Sequence, residues 1–430
     1  VVYESPEPSL PPPDTGVRFV SGVSTSADAS IAAGEVGEQL RAIPEPDLLL
    51  LFVSAHHAEE LGAIGKAIGG VLRPRAVIGV TTAAVVGGDR ELEHTPAVSA
   101  LAARLPGVRV HPFHSASLRH SAATGEAGRM ALGQLIGRDP SLRATFVFAD
   151  PFSTPVNQLL PQLNECRATD RTGRPAGVIV GGVVSGAAKA GQNAMLCNDT
   201  LIRTGFVGVS ISGPVHIDTV VSQGCRPLAD NMIITKAKNN IIYELGGRPA
   251  LDVFREAFES LGEHERELLQ QGLFLGRVVS EYKDHTGRGD YLIRNVAGVN
   301  PETGYIAVQD LVRVGQTVRF HTRDAQTAEE DLDLLLHAQQ LHGRPDGVLL
   351  ITCTGRGTNL FDHRHHDAMT IQQAFRDTLP APEQAKGGRL VESDKSLIPL
   401  AGCFTAGEIG PVGDQSYLHG HSACAVMFRR

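Results

Sequence analysis

The 430-residue sequence has no tryptophan, and aromatic residues make up only 5% of it. Stacking platforms for single-stranded nucleic acid need more rings than that. Clusters of positive charge are missing too. There are 39 Lys and Arg against 47 Asp and Glu, with no long run of either sign. The formal charge of −8 argues against a nucleic-acid surface, which requires clustered basic residues. No apolar run approaches the roughly 18 residues that span a bilayer. The longest, "DLLLLFVSA", is broken by His56 and His57. Six cysteines, at 166, 197, 225, 353, 403 and 424, form no C-x-x-C pair. That excludes zinc knuckles and dithiol redox motifs, and the count is too sparse for a disulfide scaffold. Free thiols in a cytoplasmic, reducing compartment are expected. The start, "VVYESPEPSLPPPDTG", has neither the basic nor the apolar region of a signal peptide. Its prolines and lack of periodicity read as an extended arm over residues 1–17.

Hydrophobic content of 42% with 20% charge is that of a soluble globular protein. Three segments share one order of apolar strand, amphipathic helix and glycine-bearing strand. The first runs "DLLLLFVS", "HAEELGAIGKAIGGVL", "RAVIGVTTAAVVGG". The second runs "ATFVFAD", "PVNQLLPQLNEC", "AGVIVGGVVSGAAKAG". The third runs "DGVLLITC", "DAMTIQQAFRDTL", "LAGCFTAGEIGPVG". Each is followed by a further small-residue apolar strand. The helical crossover makes the first two strands of each copy parallel, and the short link after the glycine strand predicts an antiparallel neighbour. The resulting class is mixed α/β (α+β), with internal βαββ-like repeats, mixed sheets flanked by helices, and αββα layering where two sheets stack. The "GGRP" break at 246–249 divides the chain into an arm, residues 1–17, and two domains, 18–246 and 247–430. In the second domain Asp324 is placed to cap a helix over "AEEDLDLLLHAQQL".

Cys353, Gly355, Arg356, Gly357, Leu360 and Phe361, then "AGCFTAGEIGPVG" and "YLHGHSA", resemble the FIST C domain. "VIVGGVVSG" and "VIGVTTA" resemble the repeated glycine strands of its partner, FIST N, and "ELGGRPALDVF" resembles the junction where FIST N passes into FIST C. Asp362 and the "VTTAAVVGG" turn depart from the family pattern. The resemblance implies a bacterial sensory protein that binds a small ligand, such as an amino acid, and feeds a signalling partner. It brings no agreed catalytic residues.

Read for their chemistry, Gly355, Arg356 and Gly357 follow a strand, where glycines admit an anion and arginine can grip a carboxylate. Glu408 could take the ligand's amine, or pair internally with Arg356. His419 and His421 alternate at a strand start, and "HRHH" at 363–366 reads as a polar loop into a helix. The expected ligand contacts are Cys353, Gly355, Arg356, Gly357, Glu408 and His419, with no metal and no cofactor. Nucleic acid and a membrane span are not expected. The rival reading is a hydrolase or transferase with Cys353 as nucleophile, His419 as base and Glu408 or Asp414 orienting it; its thiol should titrate below an ordinary cysteine. A third reading, an interaction module, requires an exposed apolar patch.

Overall fold

A computed structural model describes residues 16–117, 125–283, 286–376 and 397–430. Nearly all of the proline-rich arm lies outside the described residues. The first repeat runs β1 (Arg18–Ser24), α1 (Ala29–Leu40), β2 (Leu48–Ser54), α2 (Leu61–Leu72), β3 (Val77–Thr82), the hairpin β4 (Val85–Gly87) and β5 (Arg90–Leu92), and β6 (Val98–Arg104). The second runs β7 (Arg109–His114), α3 (Gly125–Leu135), β8 (Leu142–Ala149), α4 (Val156–Cys166), β9 (Val178–Val183), the hairpin β10 (Met195–Cys197) and β11 (Thr200–Ile202), and β12 (Phe206–Ser212). The third opens with β13 (His216–Gln223), and here an inserted body interrupts it. That body contains β14 (Cys225–Pro227), β15 (Met232–Lys238), β16 (Ile241–Leu245), β17 (Arg248–Pro249), α5 (Ala250–Ser260), α6 (Glu263–Leu268), β18 (Leu273–Val278), β19 (Tyr291–Asn300), β20 (Tyr305–Val308) and β21 (Thr317–Arg323). The repeat resumes with α7 (Ala325–Gln340), β22 (Gly347–Cys353), α8 (His366–Ala374), β23 (Leu400–Thr405), the hairpin β24 (Glu408–Val412) and β25 (Gln415–His419), and β26 (Ser422–Arg429).

Local chemistry accounts for these elements. Every residue of β2, "LLLLFVS", is buried, as an unbroken apolar run demands when both faces of a strand are covered. α2 buries Leu61, Ile64, Ile68 and Leu72 at spacings of three and four, the stripe that one helix face needs. Asp28 caps α1 by accepting from the Ser30 and Ile31 amides, and Asp324 caps α7 through the Thr327 amide, as its position in the sequence suggested.

The three sheets have one topology: β1-β6-β2-β3-β10-β11, β7-β12-β8-β9-β24-β25 and β13-β26-β22-β23-β4-β5. In each only the central pair is parallel, joined by a helical crossover. The antiparallel neighbour expected beside each glycine strand exists, but it comes from another repeat. The first repeat's hairpin completes the third sheet, the second's completes the first, and the third's completes the second. The linkers explain why. A two-residue hairpin loop needs residues at positive φ. Neither Ala83-Ala84 nor Ala406-Gly407 adopts it, so the chain runs on into the neighbouring sheet. Ser185 pins the crossing point, accepting from the Ala83 amide at 2.9 Å and donating to the Phe404 carbonyl at 2.6 Å. Gly402 is obligatory nearby, because a Cβ there would lie 1.8 Å from the Leu350 oxygen.

The inner faces share one core. Phe52 meets Phe148 at 5.9 Å, Phe146 meets Phe428 at 6.0 Å, and Phe19 meets Phe428 at 4.8 Å, so each sheet touches the other two. Separate outer clusters form under α1 and α2, α3 and α4, and α7 and α8. Any two sheets with their helices give the αββα order, and the third sheet closes the remaining side. The inserted body is a small barrel, closed where β18 pairs with β21 and filled by residues such as Ile234, Leu275, Ile306 and Phe320. The Gly246-Gly247 turn lies inside it, between β16 and β17. β13 enters the barrel and α7 leaves it, so the two elements meet at its seam with the third sheet.

Candidate functional site

The site grows from the end of β22. Buried to its last residue, the strand releases the chain at Cys353, and a turn closed by the Arg356 amide on the Cys353 carbonyl points Arg356 inward. Arg356 is completely buried. Its fork grips Asp367 at the start of α8, with Nε to Oδ2 at 2.8 Å and Nη2 to Oδ1 at 2.7 Å. Asp367 also accepts from Thr352 Oγ1 at 2.7 Å and lies 3.0 Å from His366 Nδ1. Burial opposes ionisation of Asp367, but the guanidinium overrides it and holds the carboxyl far below its usual range. Phe361 lies under Arg356 and stacks on His366 with ring centres 3.5 Å apart.

A second acid approaches from the first repeat. Glu91 on β5 accepts from the Ala368 amide at 2.9 Å. Burial, then the neighbouring Asp367, pushes its carboxyl well above the ordinary value. Gly357, at φ 55°, faces Glu93, which accepts from Thr358 twice at 3.0 Å.

Arg356 and Glu408 do not pair, which corrects one reading of the sequence: the nearer Asp367 takes the fork. Glu408 instead accepts from Thr405 Oγ1 and Ser422 Oγ, both at 2.8 Å. Those residues sit on β23 and β26, either side of β22, so the carboxylate spans the strand end at Cys353. Burial raises Glu408 to about 7, against the pull of its Ser422 and Thr405 hydrogen bonds. Burial and then Glu408 push the Cys353 thiol up to about 12. A nucleophile needs the opposite shift.

The two histidines diverge. His419 ends β25 fully buried, and its Nε2 donates to the Gly410 carbonyl at 3.0 Å. His421 follows at φ 58°, a turn that breaks the strand alternation. It faces the barrel, 4.6 Å from Phe274 by ring centres and 3.3 Å from Asn295 Oδ1. Burial lowers both imidazoles to about 4, helped at His421 by Arg323 and Arg356. In the "HRHH" stretch, His366 is buried within α8 rather than part of a polar loop.

Around Gly224, where β13 passes into β14, polar atoms accumulate without partners. Arg356 Nη1, Arg323 Nε and His421 Nδ1 are each buried and unpaired among the described residues. A side chain on Gly224 would meet Arg356 Nη1 at 3.2 Å, and one on Gly355 would meet His421 Nδ1 at 2.8 Å, so both glycines make room. Gln223 and Cys225, which flank Gly224, line a cavity of about 90 Å³ together with Arg288, Tyr291, His321 and Asp331. Asp331 on α7 accepts from the Gln223 amide at 2.9 Å, and burial raises its pKa. His321 Nδ1 donates to the Arg319 carbonyl at 2.9 Å, which leaves Nε2 as an acceptor.

Two family models divide this chain between them. FIST N matches residues 47–248 and FIST C residues 250–411. The chain belongs to the FIST family. An uncharacterized protein of Mycobacterium tuberculosis is 37% identical over 417 residues, covering 96% of this chain and all of that protein. An uncharacterized Mycobacterium bovis protein is 36% identical, covering 96% and 99%. Among solved structures, cyanuric acid hydrolase from A. caulinodans aligns at a TM-score of 0.30 with 10% identity, over 96% of this chain and all of that one. T. maritima PurL complexed with ATP aligns at 0.20 with 12% identity, over 96% and 71%.

FIST domains are small-ligand sensory domains of signalling proteins. Among the described residues of this FIST chain, no helix is long and apolar enough to cross a membrane. The barrel side of the cavity went unread in the sequence. His321 and Tyr291 lie on ordinary alternating strands, and Asp331 looks like one more exposed acid on a charged helix. The available signal was Asp331's spacing, one position before the buried Leu332.

Proposed function

We propose that this FIST protein is a sensor of amino acids or other small carboxylates, and that it passes the bound state to a signalling partner. The ligand site is the cavity at the seam between the third sheet and the barrel. One observation carries the reading: a small cavity whose lining includes a buried carboxylate, Asp331, and a guanidinium, Arg288, which would exchange its half-exposed partner Glu330 for the ligand's carboxylate. A zwitterion needs both charges, one for its ammonium and one for its carboxylate. Arg356 and Glu408 are held by internal partners and stand outside the cavity lining, so Asp331 takes the role of amine acceptor. The Cys353 enzyme reading is weaker, because a thiol at about 12 is protonated at neutral pH.

A thermal-shift screen of amino acids and small carboxylates tests this, with Asp331→Asn and Arg288→Ala beside the wild type. A ligand at about 1,000 times its Kd should stabilise the protein by roughly 4 kcal/mol. The expected result is a shift for one class, lost in both variants. A shift that survives both, or no shift from any compound, overturns the proposed site.

A further inference from the structure

A different cluster lies at the far ends of the two elements that meet at the seam. His216 and Asp218 begin β13, two residues apart, so their side chains share a face. His342 follows the end of α7. His216 Nε2 lies 3.0 Å from Asp218 Oδ1, and His342 Nδ1 lies 3.2 Å from Asp218 Oδ2. One ligand atom from each residue falls within 4.8 Å of the others.

From this geometry we propose that His216, Asp218 and His342 form a divalent transition-metal site, with Zn²⁺ as its ion. Ligand atoms on a tetrahedral zinc with bonds of about 2.0–2.1 Å stand about 3.4 Å apart. The separation of His216 from Asp218 Oδ1 already approaches that edge, and His342, now beside Oδ2, comes to the ion by side-chain rotation from within 4.8 Å. Two imidazoles and one carboxylate are a borderline-soft set that suits zinc and disfavours calcium or magnesium, which take all-oxygen shells.

The carboxylate is held in place from behind. Arg429, 7% exposed, donates to Asp218 Oδ2 and is itself anchored on the Gly343 carbonyl at 3.1 Å and the Gln339 carbonyl at 3.2 Å. Ligating carboxylates are commonly oriented by such a hydrogen bond. The positive charge weakens the carboxylate as a ligand but leaves Oδ1 free for the ion. Both histidines are half exposed, at 55% and 50%, so a fourth position opens to solvent and takes water.

The ion would brace β13 against the end of α7. Those elements carry Gln223 and Asp331 at the cavity, but the metal site stands on its own residues and does not depend on the ligand reading. The test uses the untagged full chain, stripped with a chelator and titrated with Zn²⁺ by calorimetry. His216→Ala and His342→Ala remove half-exposed side chains and should leave the fold intact, which circular dichroism checks. His337→Ala is the control, because His337 Nδ1 bonds its own helix at Asp333. The expected result is about one saturable site per chain, weakened about tenfold or more in both ligand variants and unchanged in the control. No saturable binding in the wild type, or equal affinity in all four proteins, overturns the proposal.

Discussion

Glu408 stands in register with Val85 and Met195 of the other two repeats, since each is the hairpin residue opposite the same position of a glycine strand. The third repeat thus puts a carboxyl where the others bury a methyl group or a thioether. The consequence is a pH-dependent stability that Glu408→Gln should abolish. In the folded protein Glu408 titrates at about 7 instead of its ordinary 4.5. Between those values the unfolded chain releases a proton that the folded chain keeps, so stability falls as pH rises through the window. At 1.36 kcal/mol for each pH unit the full loss is about 3 kcal/mol, reached above pH 7 and absent below 4.5. Glutamine fits the same pocket, with its oxygen accepting from Ser422 and its amide donating to Thr405 Oγ1. Urea denaturation of both proteins at pH 5 and pH 8 isolates the effect, because other groups titrate in both and cancel in the difference. Glu408→Gln should match the wild type to within about 1 kcal/mol at pH 5 and exceed it by about 3 kcal/mol at pH 8. A difference that does not change with pH would refute the account of a buried, proton-holding Glu408.

Removing one partner of the Arg356–Asp367 pair should cost far more. Asp367→Asn leaves a buried guanidinium uncompensated, and thermal or urea denaturation should show a loss of about 3–5 kcal/mol; a loss under about 1 kcal/mol contradicts the completely buried geometry. Cys353 should resist iodoacetamide at pH 7.5 in the native protein and react only after unfolding, as followed by peptide mass spectrometry. Rapid native labelling would return the enzyme reading to contention.

Most of the fold was legible because its signals are local. The three strand–helix–strand copies carry unbroken apolar runs, helical spacing and glycine strands, and Asp324 announced its helix. The exchange of hairpins was not legible. β4, β10 and their partners are three residues long, too short to show a period, and nothing in "VVG" or "MLC" names the sheet it joins. The site followed the same rule. Arg356 was found from its glycine flanks, and its true partner, Asp367, lies only eleven residues on. Glu91 comes from far earlier in the chain, beyond any local pattern. His421 was paired with His419 by strand alternation, and one residue in the left-handed region sent it to the barrel instead.

The exchanged hairpins also bear on how the protein is made. β9 ends at Val183, but the hairpin that covers its edge begins only at Glu408. At about 5–20 residues per second, the ribosome leaves that edge open for on the order of 10–40 s. Through that interval a nascent chain presents Gly181 and Gly182 as an unpaired strand margin, open to any other extended segment. The ring of sheets closes only when the last hairpin emerges. Slowing synthesis late in the message should therefore lower the yield of soluble protein more than slowing it early.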